Sequence, residues 1–396
     1  MKETVRLFSN DLEAHYVRRP NRFLIIAEKN GKELACHCPN PGRLSELLFR
    51  GTDLILEKRC KPGTEWTAAA LKREGPGKHG IVPLYSSRAN NAAEKLVLPK
   101  ILPGLNGIQR EYRIGDSRFD FFCTTSDGKQ HLVEVKACSL VEHGVAMFPD
   151  APSARALKHL EELANLSGKG FQCHVLFVIM HGKPGVFIPN VHTDPALAAA
   201  LCRYGGNYSG AERGRPAKVN IHTALIHCRD DGRASLAPES IPIDLGAGLM
   251  ELALSDGGNY LVLLNIDKPC TIEAGSLGKL DIKKGWYVYS GSARKNLSAR
   301  IARHQRKLKK QKHWHLDYLT PWAQSIKTLP FMTFYNLECE LAEDLKKLGG
   351  TGVRGFGCSD CRCASHLYYF SEAPQESRDF QNMIFRYRHV ECFKRN

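Results

Sequence analysis

Residues 117–136 read SRFDFFCTTSDGKQHLVEVK, and three charged side chains interrupt runs that otherwise look like core. Phe119-Asp120-Phe121-Phe122 and Leu132-Val133-Glu134-Val135-Lys136 are aromatic and β-branched, the material of strands. Alternation puts Glu134 and Lys136 on one face and Val133 and Val135 on the other. Between the runs, Ser126-Asp127-Gly128 is a hairpin signal. Register then decides the meaning of the segment. A two-residue loop at Asp127-Gly128 sets Asp120 opposite Val135 and leaves a solvent-facing polar stripe. A three-residue loop with Gly128 in the left-handed region sets Asp120 opposite Glu134 and brings two carboxylates and an ammonium together.

The rest of the chain narrows the choice. Its 396 residues suffice for two or three domains, each with its own core. No stretch approaches the length of a membrane helix, and MKETVRLFSNDLEAHYVRRP lacks the apolar core of a signal peptide. Fourteen Cys in a chain this long do not make a disulfide scaffold, so a cytoplasmic protein with reduced thiols and no membrane partner is expected. The net charge of +15, shared by both halves of the chain, favours a polyanionic partner, most simply DNA or RNA.

Short strand-like runs from residue 1 to about 80, such as RFLIIA (22–27) and TDLIL (52–56), suggest a small β-barrel. From 81 to 238 a helical stretch, the hairpin, a helix near 153–166 and the apolar run HVLFVI (174–179) suggest an α/β domain. The polar segment 229–243 reads as a linker. A third domain occupies 244–370, followed by a basic and aromatic tail, 371–396. The expected class is an α+β and α/β multidomain protein.

Chemistry gives the hairpin a purpose. Phosphodiester hydrolysis is helped by a divalent metal that polarises phosphoryl oxygens and activates water. Mg²⁺, or Mn²⁺ in its place, prefers one or two carboxylates with waters and phosphate oxygens. Asp120 and Glu134 on adjacent strands supply these, and Lys136 can hold the attacking water or neutralise developing charge. The spacing Asp-x13-Glu-x-Lys is the signature of PD-(D/E)xK nucleases. Four longer stretches add specificity: HCPNPGRL (37–44), REYRIGDSRFDFF (110–122), LVEVKACSLVEHGVAMFPDAPSARALKHLEEL (132–163) and VLFVI (175–179). Together they resemble the sugar fermentation stimulation protein A family over about residues 1–230. That resemblance implies an OB-fold-like N-terminal domain, a PD-(D/E)xK nuclease-like domain and DNA binding. It carries a metal role to Glu111, Asp120 and Glu134, and places Arg118, Asp150 and Arg155 in the family's other polar motifs. The chain departs from the family where it has Glu-Val-Lys-Ala-Cys-Ser and Ser-Ala-Arg-Ala, with Ala154 in place of a Glu.

In the first domain Pro39-Asn40-Pro41-Gly42-Arg43 could offer backbone amides and a guanidinium to phosphate, or be a rigid turn. Arg22, Asn40 and Arg43 are its candidate nucleic-acid contacts, with Arg118 and Arg155 in the second domain. Cys36, His37 and Cys38 are adjacent and cannot all face one ion from a strand.

The last third poses a second enzyme question. GNYLVLLNI (258–266) and GWYVYSGSARKNLSARIARH (285–304) set two tyrosine-bearing strands ahead of a basic helix on which Arg300 and His304 share a face. Residues 294–312 hold nine Lys and Arg and no acid, the pattern of a phosphate-contacting surface that includes Arg303, Lys309 and Lys310. With HWHLDYL (313–319), LECELAEDL (337–345) and FGCSDCRCASHLYYF (356–370), these motifs resemble an uncharacterised family related to GIY-YIG endonucleases, over about 245–370. The resemblance implies a GIY-YIG-like α+β domain and a one-metal phosphodiesterase. Tyr260 or Tyr289 would orient or deprotonate water, Arg300 would stabilise the pentacovalent phosphate and Glu338 would hold the metal, with Glu340 as its competitor. The spacing between Tyr260 and Tyr289 is longer than in standard enzymes of that kind.

Cys358, Cys361, Cys363 and His366, with His313 or His315 nearby, are ligand types suited to zinc. Cys-x2-Cys-x-Cys-x2-His is not a standard zinc spacing, so a buried reduced cluster is the favoured reading and zinc at Cys361, Cys363 and His366 the alternative. The whole chain reads as a metal-dependent nuclease with two nuclease-like modules. A non-catalytic DNA-binding regulator of sugar-metabolism genes that retains a nuclease fold is the competing expectation.

Overall fold

The computed structural model describes residues 3–60, 62–73, 80–205, 218–307 and 311–393, which fall into two compact units, 1–250 and 251–396. In the first unit, β1 (Leu12–Asn21), β2 (Leu24–Lys29), β3 (Lys32–His37), β4 (Asp53–Lys58) and β5 (Trp66–Arg73) form a sheet ordered β3-β2-β1-β4-β5. Parallel pairing of Cys36 with Trp66 and His37 with Thr67 closes it into a five-stranded barrel, which removes its edges. Alternate residues point inward, and many are small: Ala14, Ala27, Ala68 and Cys36 pack with Ile25, Leu54, Leu56 and Leu71. This is the expected OB-like barrel.

A short strand, β6 (Gly80–Pro83), pairs with β5 and bridges onward through Ile81 to Cys228. The same sheet therefore runs from the barrel into the α/β domain. There a helical segment, α1 (residues 86–101), precedes β7 (Leu105–Ile114), β8 (Ser117–Thr125) and β9 (Gln130–Cys138). The small strands β10 (Leu140–Glu142) and β11 (Val145–Phe148), helix α2 (Ala154–Ser167), β12 (Gln172–Ile179), β13 (Val186–Pro189), α3 (Pro195–Gly205), β14 (Val219–Cys228) and β15 (Arg233–Leu236) follow. The segment 229–243 is therefore not the expected linker: β15 pairs with β14, and Ala234, Ala237 and Ile241 are buried in the cores. The strand order is β14-β12-β9-β8-β7, with β9, β12 and β14 parallel and β7, β8 and β9 antiparallel. Strand β12 is buried from Cys173 to Ile179 because both of its faces are covered. Ala89, Ala92, Ala93 and Leu96 of α1 pack with Phe121, Val133, Val135, Leu176 and Val178 on one face. Leu160 and Leu163 of α2 and Leu197 and Leu201 of α3 pack with Leu132, Val175 and Phe177 on the other. Helix α2 buries Ala156, His159, Leu160, Leu163 and Ala164, one apolar stripe, and Ser153 caps its N-terminus by accepting the Ala156 N–H at 3.2 Å.

In the second unit β16 (Gly258–Ile266), β17 (Cys270–Glu273), β18 (Lys279–Ile282), β19 (Gly285–Ala293), α4 (Leu297–Gln305), β20 (Ser325–Met332), α5 (Glu338–Lys347), β21 (Thr351–Gly352), β22 (Leu367–Phe370) and α6 (Arg378–His389) follow in order. The main sheet is antiparallel, β20-β16-β19-β22-β21. Leu341 and Leu345 of α5 and Phe380, Met383, Ile384 and Tyr387 of α6 pack on Leu261, Leu263, Val288 and Phe331. The α+β class is as expected, but the segment 371–396 is not the expected tail: its apolar residues Phe380, Met383, Ile384 and Tyr387 put α6 into the core. Between β16 and β19, β17 and β18 form a two-stranded ribbon of their own, which accounts for the long spacing from Tyr260 to Tyr289.

A row of histidines crosses the first unit's sheet. His131 Nδ1 lies 3.1 Å from His174 Nε2, His174 Nδ1 lies 3.0 Å from His222 Nε2, and Thr125 Oγ1 lies 3.1 Å from His131 Nε2. A neutral imidazole has one donor and one acceptor, so three neutral rings satisfy the row when their N–H bonds run the same way. Burial pushes all three below the ordinary histidine range, His174 to about 3. Because the unfolded chain takes up a proton near pH 6.5 and the folded chain does not, the stability present above that pH is lost as pH falls from 6.5 toward 3. At pH 5 the loss attributable to His174 should be roughly 2 kcal/mol. Denaturant midpoints at pH 7.5 and pH 5 should differ in that sense, and His174→Leu should flatten the difference.

Candidate active sites

The turn between β8 and β9 has three residues. Thr125 and Lys129 close it through the Thr125 N–H to Lys129 carbonyl bond at 3.2 Å, and Gly128 sits at φ 78°, where a side chain would be strained. Pairing runs Thr124 to Gln130, Cys123 to His131, Phe122 to Leu132 and Phe121 to Val133, and one further step sets Asp120 opposite Glu134. The ladder stops there. Phe121 packs in the α1-side core and Phe119 in the α2-side core, so β8 turns over at Asp120. Its carboxylate enters the gap between the strands, where Oδ2 accepts the Val135 N–H at 2.8 Å and Oδ1 accepts Asn90 Nδ2 at 2.8 Å.

Glu134 is 3% exposed and faces α2. Its Oε1 accepts Lys136 Nζ at 2.5 Å and contacts His159 Nδ1 at 2.6 Å, while Oε2 is buried with no hydrogen-bond partner. Burial would raise the Glu134 carboxyl, but the His159 hydrogen bond and the Lys136 charge outweigh it and hold the group below its ordinary value. Burial, and then the charge of Glu134, push Asp120 up. Two carboxylates that disfavour each other's charge, one with a bare buried oxygen, are a donor set that suits a hard divalent cation. Glu111 lies in the same cross-strand row, between the Arg110–Phe121 and Tyr112–Phe119 pairs. It is exposed, held at φ 56° and ion-paired with Arg118 Nε at 2.8 Å. That left-handed backbone at a non-glycine residue costs on the order of 1 kcal/mol or more.

The Pro39–Arg43 loop turns its amides inward. Asn40 is buried and its Oδ1 accepts the Gly42 N–H, Asp150 takes the N–H groups of Arg43 and Leu44, and Arg19 binds the carbonyls of Arg22, Asn40, Gly42 and Arg43. The amides of Gly42 and Arg43, expected to meet phosphate, are thus spent inside the protein, and what reaches solvent is Pro41 and the Arg43 side chain. Arg22 is exposed and packs 4.7 Å over the ring of exposed Phe23. Arg155 is exposed in the first turn of α2.

In the second unit Tyr260 pairs with Gly291 and Val262 with Tyr289, so the two tyrosines are diagonal neighbours on one face, ring centroids 6.4 Å apart. Tyr260 OH lies 3.0 Å from His304 Nε2 on α4. Burial pushes both phenols well above their ordinary value, although the Arg300 charge acts the other way on each. Arg300 lies 4.4 Å over the Trp314 ring. Asn259, buried in β16, accepts the Leu337 N–H at 2.9 Å and donates to the Tyr335 carbonyl, which fixes the entry to α5. Glu338 at the start of that helix accepts Ser292 Oγ at 2.5 Å on Oε2 and His366 Nδ1 at 2.8 Å on Oε1. Glu340, its competitor in the same turn, is exposed. Arg303 is engaged within the protein, binding Asp317 Oδ2 at 2.7 Å and the Gln311 carbonyl. Lys309 and Lys310 lie outside the described residues.

The thiol cluster differs from the expected one. Cys339, Cys361, Cys363 and His366 bring one ligand atom each within 4.8 Å of one another. Cys358 bonds the Phe356 carbonyl, and His315 Nδ1 accepts the Gly357 N–H at 3.2 Å. Cys339 escaped sequence reasoning because it lies on a helix 22 positions before Cys361. Asn90, His159, Ser292 and His304 escaped as partners of the candidate residues. The signal for His159 was its place in the apolar stripe of α2, where a polar side chain needs a partner.

An OB-type barrel running into an α/β domain with a mixed sheet defines the class of the first unit. Residues 17–79 match the SfsA N-terminal OB domain, 87–208 the sugar fermentation stimulation protein RE domain, and 259–389 the domain of unknown function DUF123. The chain is 35% identical over 199 residues to a sugar fermentation stimulation protein homolog of Methanothermobacter thermautotrophicus, covering 50% of this chain and 82% of the relative. It is 38% identical over 197 residues to the Pyrobaculum neutrophilum homolog, covering 49% and 82%. The chain belongs to the sugar fermentation stimulation protein family. Its fold is similar to that of Pyrococcus furiosus SfsA, solved in complex with Ca²⁺, at TM-score 0.50 and 24% identity over 61% of this chain and 99% of that one.

Strand β19 passes so close to Tyr260 that a Cβ on Gly291 would meet the tyrosine Cζ and hydroxyl at 2.6 Å. Both are buried and neither strand can yield without breaking its ladder. Gly291→Ala should therefore destabilise the second unit by about 1–3 kcal/mol, read as a lowered thermal transition.

Proposed function

We propose that the protein is a divalent-metal-dependent nuclease acting on DNA or RNA, with one site in each unit. The observation that carries this reading is the bare, buried Oε2 of Glu134 set across from Asp120, with Lys136 beside it. Pure nucleic-acid binding has no use for two carboxylates facing phosphate, since they weaken the electrostatic attraction. The Ca²⁺ in the Pyrococcus furiosus relative supports the choice of a hard, oxygen-seeking cation.

In the first unit Asp120 and Glu134 would hold the ion, with Glu111 as a third carboxylate in the row. The ion, when bound, supplies Lewis-acid polarisation of the phosphate and a more acidic water. The protein's part is preorganisation. Asn90 and the Val135 N–H aim Asp120, and His159 and Lys136 occupy one oxygen of Glu134 and leave the other, buried one for the ion. Lys136 lies where it can neutralise charge developing on the phosphoryl oxygens. Exposed Arg22, Arg43 and Arg155 would position the backbone of the substrate.

In the second unit the raised phenols argue that Tyr260 and Tyr289 stay protonated at neutral pH and orient water by hydrogen bonding, with His304 as the acceptor for Tyr260. Arg300 would meet the transition-state charge and Glu338 would hold an ion.

The two sites are separated by testing each with the other disabled. In an Arg300→Ala background, Asp120→Asn and Glu134→Gln should each lower Mg²⁺- or Mn²⁺-dependent cleavage of plasmid, single-stranded DNA or RNA on the order of a hundredfold or more, with binding unchanged or tighter. In an Asp120→Asn background, Arg300→Ala should lower the remaining cleavage by a similar factor while barely changing affinity. Tight binding with no metal-dependent cleavage by the wild-type chain would make it the non-catalytic DNA-binding regulator instead.

A further inference from the structure

The loop from Cys358 to His366 reads CSDCRCASH and holds no large apolar side chain. Chain of that composition cannot hold itself against a sheet by burial, and needs some other tie. It nevertheless returns to the start of α5, where Cys361 Sγ lies 3.4 Å and Cys339 Sγ 4.0 Å from His366 Nε2. With Zn–S near 2.3 Å and Zn–N near 2.1 Å, neighbouring ligand atoms of a tetrahedral zinc site stand about 3.5–3.8 Å apart. The observed spacings bracket that range, and Cys363 completes four donors within 4.8 Å of one another.

We propose that Cys339, Cys361, Cys363 and His366 bind one structural Zn²⁺, and that this ion fixes His366 so that its other ring nitrogen positions Glu338. Three thiolates and one imidazole from a helix and a loop make a closed set, with no position left for water, which is the structural and not the catalytic form of zinc site. The ligating nitrogen is Nε2, because Nδ1 is already committed to Glu338 Oε1 at 2.8 Å. Metal on Nε2 makes Nδ1–H the donor and locks the ring, the carboxylate–histidine–zinc arrangement. Ser292 Oγ holds the second oxygen of Glu338 from β19, so the carboxylate is oriented from both sides. Cys339 and Glu338 are consecutive in α5, and the ion therefore ties helix, loop and carboxylate together at one point. The zinc site stands on geometry alone, whereas its service to Glu338 as a catalytic ligand rests on the function proposed above.

The full-length chain should carry one equivalent of zinc after purification or after loading with zinc, counted by elemental analysis. Cobalt(II) put in its place should show the visible bands of tetrahedral thiolate coordination. Cys339→Ser and Cys363→Ser should lose the metal and Cys358→Ser should keep it. His366→Cys should retain zinc as a four-thiolate site, which guards against a trivial loss of folding. Glu338→Gln should weaken zinc affinity tenfold or more in competition with a chelator, as loss of such an outer carboxylate does elsewhere, and Glu340→Gln should not. None of these readouts needs nuclease activity. A chain that takes up no zinc, or one that loses it on Cys358→Ser and not on Cys339→Ser, overturns the site. Equal zinc affinity in Glu338→Gln and Glu340→Gln overturns the positioning role while leaving the zinc.

Discussion

The first unit depends on the register of one hairpin. Three residues between β8 and β9, with Gly128 in the left-handed region, bring Asp120 across from Glu134. Shortening the loop by one residue would move every side chain of β9 to the opposite face, sending Val133 and Val135 away from the α1 core and Glu134 into it. The core and the carboxylate pair are thus specified together. At Asp120 the ladder ends, because the strand turns over and a side-chain oxygen takes the Val135 N–H that a backbone carbonyl would have taken. The Val135 N–H is thereby satisfied, and the carboxylate is held between it and Asn90.

Both candidate sites solve the same electrostatic problem in the same way. In each, a largely buried glutamate has one oxygen bound by a histidine Nδ1, His159 for Glu134 at 2.6 Å and His366 for Glu338 at 2.8 Å. A buried carboxylate needs a donor to remain charged, and an imidazole can give one without filling every lone pair. What differs is the anchor of the histidine. His159 is fixed by the packing of an amphipathic helix, edge-on to Phe119. His366 lies at the end of a loop with little to bury, which is where a metal tie is physically useful.

The positive charge of the chain is used more locally than composition suggests. Arg19 is consumed by four carbonyls, Arg303 by Asp317 and Arg88 by Glu57, while Arg22, Arg43 and Arg155 remain exposed. Net charge counts all of them alike. Only the fold separates guanidiniums that hold the protein together from those that can meet a phosphate.

The sequence by itself determined the strands carrying Asp120, Glu134 and Lys136, the paired tyrosine strands and the basic helix with Arg300. Those features are local, written in periodicity, turn residues and composition, and they reach the same structure whatever surrounds them. Tertiary structure decided the rest. It chose between the two hairpin registers, tied Glu338 to Ser292 and His366 while leaving Glu340 exposed, turned the amides of the Pro39–Arg43 loop inward, and brought Cys339 to Cys361, Cys363 and His366 in place of Cys358 and His315. It also supplied Asn90, His159, Ser292 and His304 as partners. Each of these is a contact between residues distant along the chain. Spacing is silent about them, because a side chain's partner is set by which elements pack together.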